Sequence, residues 1–225
     1  MSLNQILYRV LIQGGSYWTI LRGFNATLRI SVLSLIFGTL LGAVICALRM
    51  SGLKILRTLA TIYIVILRGS PVLMLLMLMY YGIFARSSLE AETIAVITFS
   101  LNVSAHVAEL LRASISATDH GQVEAARTLG FSAFQAFRLV TLPQVVRIAK
   151  PVYQSTIVNL IQWTSVVGYV SITDLTRVIN NIASRTMQPM ITIIIGMLIY
   201  LAMAYVVHGL FAFSDYLRNR KEALS

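Results

Sequence analysis

The chain has 225 residues, of which 57% are hydrophobic and 12% charged, with a formal net charge of +10. Soluble domains carry about 45–50% apolar and about 25% charged residues, so the excess apolar content, gathered in long runs, excludes a soluble globular chain and leaves an integral membrane protein with no room for a separate soluble enzyme domain. In this class a basic excess reports Lys- and Arg-rich cytoplasmic loops and not nucleic acid. The single cysteine, Cys46, lies in an apolar run and can form no intrachain disulfide. The N-terminus lacks a basic segment leading into a short apolar core with a cleavage site, so no removed signal peptide is expected.

In chain order, residues 1–25 mix apolar and polar side chains and are expected to form an interfacial helix and linker. The first predicted span, Thr27 to Leu48, is about 33 Å long at 1.5 Å per residue. Its Gly38 and Gly42 either admit another helix closely or are simply tolerated. The second run, Leu59 to Phe84, is interrupted by Arg68-Gly69-Ser70-Pro71. Pro71 removes a helix hydrogen bond and frees a carbonyl near residue 67, which Ser70 or the Arg68 guanidinium would satisfy. A kink is preferred there over a break facing a pore. Thr93 to Leu111 forms the third span, with Asn102, His106 and Glu109 within it. A polar, basic loop over 113–150 follows. Pro151 to Ile172 is the fourth span, with Pro151 placed in its first turn, and Met190 to Phe213 is the fifth. The expected fold is an all-α bundle of about five transmembrane helices, one membrane domain over residues 1–225. No internal repeat is present.

Basic residues orient the bundle. Arg49, Lys54 and Arg57 lie in the first loop, Arg112, Arg127, Arg138, Arg147 and Lys150 in or beside the 113–150 loop, and Arg218, Arg220 and Lys221 at the C-terminus. With five spans all three regions share one face, which the positive-inside rule makes cytoplasmic. The N-terminus is then external and the C-terminus cytoplasmic.

Ionisable and polar groups inside spans usually face a bundle interior or a water-filled path. Glu109 is three residues from Arg112, so it either pairs along the helix or serves a translocation path. Asn102, Gln162, Thr164 and Ser165 either bond across helices or touch a polar solute, and Arg68 beside the break belongs with them. His106 and Glu109 would need further ligands to hold a metal, and few exist, so no metal site is expected. The Met74, Met77 and Met79 series reads as apolar packing.

The loop itself holds the most specific pattern. Glu124-Ala125-Ala126 is followed by three residues and Gly130, then by nine residues, Val140, one residue, and Leu142-Pro143. A short helix, a glycine-permitted bend and a second helix broken at Leu142-Pro143 would project into water and suit docking to another protein. This spacing resembles the cytoplasmic EAA loop of permease subunits of bacterial ATP-binding-cassette importers. Arg68-Gly69-Ser70-Pro71 with Tyr80-Tyr81-Gly82 resembles a segment of the polar amino acid branch. So do Ser100-Leu101-Asn102 with Ala108-Glu109 and Arg112, His120-Gly121-Gln122 before the motif, and Arg177, Thr186 and Pro189.

The resemblance implies a type I importer permease fold and pairing with an identical or related permease subunit. It also implies two ATPase subunits that carry ATP and Mg, and an external solute-binding protein. It assigns Glu124, Ala125, Ala126, Gly130, Leu142 and Pro143 to ATPase coupling, and a polar amino acid or similar small solute as cargo. This chain would bind no cofactor and hold no catalytic residue, in keeping with its lack of a Gly-x-x-x-x-Gly-Lys-Ser/Thr loop. Two departures leave the solute open: Gln162-Trp163 stands before Thr164-Ser165 where that branch usually has Lys-Asp, and His106 stands where an aromatic such as Tyr is common. The rival readings are a passive channel and an intramembrane enzyme using His106 and Glu109.

Overall fold

The computed structural model describes the backbone of residues 3–222 and their side chains apart from Leu3, Arg218, Asn219, Lys221 and Glu222. The first two residues, on which the N-terminal orientation turns, and the Arg218 and Lys221 side chains of the C-terminal basic cluster lie outside the described residues. Ten α-helices follow one another: α1 (Leu3–Leu11), α2 (Ser16–Arg49), α3 (Lys54–Gly69), α4 (Val72–Met77), α5 (Ala91–Ser116), α6 (His120–Thr128), α7 (Ala133–Ala136), α8 (Leu142–Trp163), α9 (Leu175–Thr186) and α10 (Pro189–Glu222). Leu78–Ile83 and Phe137–Thr141 are π-helical turns and Thr164–Val170 is 3₁₀. There is no strand among the described residues.

Several boundaries differ from the sequence reading, each for a physical reason. The first long helix begins at Ser16, not Thr27, and runs for 34 residues. Only Leu3–Leu11 of the expected 1–25 interfacial segment is therefore a separate helix; nothing between Ser16 and Thr27 breaks a helix, and Ser16 bonds back to the carbonyl of Gln13 at 3.0 Å. Pro151 is not in a first turn but well inside α8, which starts at Leu142. Pro143 likewise does not break the helix: it falls in the opening turn of α8, where a missing N–H is harmless, just after a π turn in which Leu142 N–H reaches back to Phe137. The α3–α4 run is a break and not a mild kink, bent by 107° at Ser70–Pro71.

By length and composition α2, α5 and α10 suffice to cross a bilayer, and the bent pair α3/α4 makes a fourth where it is counted as one broken span. The fourth expected span, Pro151 to Ile172, falls in α8 and the 3₁₀ turn after it; α8 carries Arg147, Lys150, Gln154, Asn159 and Gln162 and does not qualify on apolarity alone.

The chain forms two compact units from discontinuous segments. Unit one comprises residues 1–35, 71–99 and 157–225. Val10 of α1 packs with Val178 and Ile182 of α9, joined by Ile6, Leu11, Ile20 and Ile195. Asp174, wholly buried, caps α9 by accepting from the N–H groups of Thr176 and Arg177 at 3.0 and 3.1 Å. Burial pushes its carboxyl above the usual range, and these hydrogen bonds oppose the shift. Around it Thr27 Oγ1 accepts from Leu175 N–H at 3.3 Å, Thr176 and Tyr200 share a hydroxyl bond of 2.9 Å, and Arg177 donates to Gly168 O at 2.8 Å. Arg29 and Glu92, from α2 and α5, form a two-pronged ion pair at 2.6 and 2.5 Å.

Unit two comprises residues 36–70 and 100–156. Here α2 meets α5 through Gly38 and Gly42: a Cβ on either would stand 2.7 Å from Val103 Cβ or Val107 Cβ. The close-approach reading of the two glycines is the correct one. Thr39 and Tyr153 share a hydroxyl bond of 2.7 Å, as do Tyr63 and Ser104.

The carbonyl freed by Pro71 is that of Leu67, and its partner is neither Ser70 nor Arg68. Asn102 Nδ2 donates to it at 2.9 Å, while Ser70 N–H and Oγ both turn to Ile66 O, at 3.1 and 2.7 Å. Asn102 is buried, with its Oδ1 left without a partner among the described residues. Leaving a buried carbonyl unpaired costs about 1–3 kcal/mol. Asn102→Leu and Asn102→Asp, which both lose the donor, are thus expected to lower the melting temperature of the purified protein. An unchanged melting temperature in both would refute this role.

Candidate coupling loop and polar groups of the spans

The expected docking loop is a helical hairpin in unit two, and each of its turns has an identifiable cause. Asp119 caps α6, its Oδ1 accepting from Gly121 N–H at 2.9 Å. The helix ends in a paired-bond stop: Phe131 N–H reaches Ala126 O and Gly130 N–H reaches Arg127 O, both at 3.1 Å. That motif needs a left-handed residue just past the helix, and Gly130 supplies it at φ +92°. Arg127 Nη1 adds a 2.8 Å bond to Phe131 O. Ser132 then opens α7 through a reciprocal cap: Gln135 Oε1 accepts from Ser132 N–H at 2.7 Å, and Gln135 N–H donates to Ser132 Oγ at 3.2 Å.

Gln144, overlooked in the sequence, ties the hairpin's two ends together. Its Oε1 accepts from Asp119 N–H at 3.0 Å and its Nε2 donates to Gln122 Oε1 at 3.1 Å. No sequence signal marked it, because a lone Gln beside Leu-Pro has no preferred partner until the hairpin closes.

The predicted coupling residues divide by exposure. Ala126 is buried against the rest of the hairpin, whereas Glu124, Ala125, Gly130, Leu142 and Pro143 are exposed. The Glu124 carboxylate meets no hydrogen-bond or ion-pair partner among the described residues; only its main-chain oxygen is used, by Thr128 Oγ1 at 3.0 Å. A Cβ at Gly130 would find nothing within 4 Å. Leu129 and Phe134 beside it are 80% and 70% exposed, an apolar tip of the kind that marks a protein contact.

The polar groups of the spans have separate fates. In unit two, Glu109 accepts from Arg112 at 2.7 Å, the same-helix pair foreseen from spacing, and Arg49 at the end of α2 closes a second ion pair at 3.0 Å. The loop position assigned to Arg49 concealed this bond. Arg68 is exposed. In unit one, Thr164 is wholly buried and spends its hydroxyl on Ile161 O at 2.7 Å, while Ser165 is half-buried. Gln162 is exposed and lines a cavity of about 500 Å³ together with Thr176, Asn180 and Tyr200. Among the described residues no group of three or more His, Cys, Asp and Glu is arranged for a metal.

Removing Glu109 would leave two guanidinium groups facing each other. The three side chains keep 20%, 22% and 34% of their exposure, so the loss for Glu109→Ala should be about 1–3 kcal/mol, below the roughly 3–5 kcal/mol of a fully buried pair. Arg49→Met should cost less, because Arg112 remains. Thermal unfolding of both variants checks the order, and equal stability of wild type and Glu109→Ala would remove the network from the account.

The model of the family described as binding-protein-dependent transport system inner membrane component matches residues 26–220. The chain is 37% identical to the probable amino-acid ABC transporter permease protein YckA of Bacillus subtilis, over 83% of each chain. It is 35% identical to the L-cystine transport system permease protein TcyB of the same organism, over 80% of this chain and 78% of that one. With the histidine/lysine/arginine/ornithine transport system permease protein HisM of Salmonella typhimurium the identity is 30%, over 84% and 85%. Among solved structures, the crystal structure of an amino acid ABC transporter with histidines superposes with a TM-score of 0.80 at 32% identity, covering 88% of this chain and 93% of that one. The inward-facing MetNI methionine ABC transporter gives 0.75 at 19% identity, covering 92% and 99%, a likeness of fold.

The chain belongs to the family of binding-protein-dependent transport inner-membrane components. It is a multi-pass inner-membrane permease subunit of an ABC importer with the type I permease fold, a transport component and not an enzyme. ATPase and binding-protein partners come with that family in general.

Proposed function

We propose that this permease carries a polar amino acid or similar small polar solute into the cytoplasm, with residues 1–225 acting as one permease domain. The names of the relatives YckA, TcyB and HisM support the cargo class. The observation that carries the coupling mechanism is the hairpin: an unpartnered Glu124, a bare Gly130 surface and an exposed apolar tip on a framework fixed by caps at Asp119, Ser132 and Gln144. Two ATPase subunits, which bind ATP and Mg, dock on this loop from the cytoplasm. The chain pairs with an identical or related permease subunit. Their closure on ATP moves the loop and opens the path outward, where an external binding protein delivers the solute. The N-terminus is external and the C-terminus cytoplasmic. On the path, Gln162, Ser165 and Arg68 offer the solute uncommitted polar surface, whereas Asn102, Thr164 and Glu109 chiefly hold helices in place.

The test is uptake by proteoliposomes containing the co-purified permease and ATPase, with a panel of labelled neutral, basic and acidic amino acids. Accumulation of at least one that requires ATP and is altered by Gln162→Ala supports the reading. Conduction of solute without ATP would replace it with a channel.

A further inference from the structure

On unit one, Thr19 and Arg22 of α2 join Thr173 and, from α9, Asn181 and Arg185 around a cavity of about 280 Å³. Val178 and Ile182 form the apolar part of its wall. No carboxylate lines it, so its polar rim consists of two guanidinium groups, an amide and two hydroxyls. Arg185 is held in place by bonds to Gln13 O and Ser16 Oγ. Arg22 is exposed and has no hydrogen-bond or ion-pair partner among the described residues.

A second, independent observation sets the depth of this cavity. Tyr17 and Trp18 open α2 with their rings exposed and 5.4 Å apart. Amphipathic rings of this kind gather at the headgroup level of a bilayer. Arg22 follows Trp18 by four residues on the same helix face, about 6 Å further along the axis. A long side chain one turn inside the aromatic level lays its stem along apolar surface and returns its charged head to the interface. From Leu28 and Val32 onward α2 exposes apolar residues.

We propose that this cavity holds the phosphate of a phospholipid headgroup, gripped by the guanidinium groups of Arg22 and Arg185 and by the neutral donors of Asn181 and Thr173, while Thr19 spends its own hydrogen on Ser16 O at 2.7 Å. Guanidinium forks match phosphate oxygens in two-pronged geometry. The apolar wall of Val178 and Ile182 suits the glycerol end of a lipid. Arg185, bonded beside Tyr17 at Ser16, and the head of Arg22 returned to the interface both stand at the aromatic level, the depth at which a lipid phosphate lies.

The experiment uses the full-length protein in mild detergent, incubated with dioleoylphosphatidylglycerol or with dioleoylglycerol, which lacks the phosphate, and read by native mass spectrometry. Wild type should retain phosphatidylglycerol at least tenfold more tightly than Arg22→Gln does, and should not retain dioleoylglycerol comparably. Arg57→Gln, outside the cavity, should behave as wild type. Arg22→Gln is the decisive variant because Arg22 supports no other contact, so loss of folding does not confuse the result. Equal retention by wild type and Arg22→Gln, or equal retention of the two lipids, overturns the proposal. Displacement of the lipid by millimolar inorganic phosphate reassigns the site to the free anion. A loss of association with the binding protein while lipid retention is unchanged reassigns it to a protein carboxylate and likewise overturns it.

Discussion

Replacing Gly130 by Val should abolish ATP-driven uptake while the protein still reaches the membrane. The residue sits at φ +92°, where the paired-bond stop of α6 requires a left-handed conformation. A left-handed residue other than Gly costs about 1–2 kcal/mol, least for Asn and most for β-branched side chains. That strain falls on an exposed hairpin whose own Cβ space is empty, so the transmembrane helices should be little affected and the tip geometry much. Gly130→Asn should retain part of the activity and Gly130→Asp less, since a charge would be added at the proposed docking surface. Glu124→Ala is expected to weaken ATPase association without changing thermal stability, because its carboxylate supports nothing within the described chain. If it forms a buried charged pair with the ATPase, the loss would be roughly 2–5 kcal/mol of binding. Uptake and ATP hydrolysis measured in one vesicle preparation decide the matter; normal coupled uptake by Gly130→Val and Glu124→Ala would sink the assignment of the loop.

An equally large effect is expected at the α2–α5 crossing. A methyl group on Gly38 would stand 3.0 Å from Ser100 O, and one on Gly42 2.9 Å from Ser104 O, besides the 2.7 Å approaches to valine Cβ atoms. A flexible side chain could swing aside, but helix backbone cannot. Ala is the better helix former by about 1 kcal/mol, yet overpacking of this kind costs about 1–3 kcal/mol and sometimes more. Gly42→Ala should therefore destabilise, and Gly38→Leu with Gly42→Leu should leave little folded protein. Gly209, in α10 with open space at its Cβ, is the internal control: Gly209→Ala should be neutral or stabilising. Shortening the opposing side chain, in Gly42→Ala with Val107→Ala, should recover only part of the loss, since the Ser104 carbonyl stays. Melting temperatures and yields of monodisperse protein test the series.

The sequence revealed whatever depended on local pattern and concealed whatever depended on a distant partner. The apolar runs, the Glu109–Arg112 spacing and the hairpin with its glycine turn all follow from neighbours within a few residues, whereas the role of Gly38 and Gly42 was decided only by Val103 and Val107 of α5. The disruption at Pro71 was legible down to the carbonyl it frees, Leu67, but not its donor: Asn102 lies 35 residues away. Arg49 was read as a loop cation because the helix end and its ion pair with Glu109 exist only once α2 meets α5. Pro143 and Pro151 misled in the opposite sense. A proline argues for a helix end, yet the first sits in an opening turn and the second is carried by a helix continuing on both sides. Arg29 passed unremarked inside the first apolar run, although its partner Glu92 neutralises it there.

The π turn at Phe137–Thr141 bears on how the protein tolerates change over evolutionary time. A wide turn takes up one more residue than an α-turn without ending the helix, and each residue of α-helix adds about 100° of rotation. The stretch from Ser132 through α7 and into α8 therefore works as a rotational gauge, in which residue number fixes the azimuth of the hairpin tip about the α8 axis. Substitutions along Phe137–Thr141 leave that azimuth alone, but a single insertion or deletion turns Leu129 and Phe134 to a different bearing. The nine residues between Gly130 and Val140 are in this sense a counted length, in which an inserted or deleted residue should disturb the tip more than an exchange of side chain does.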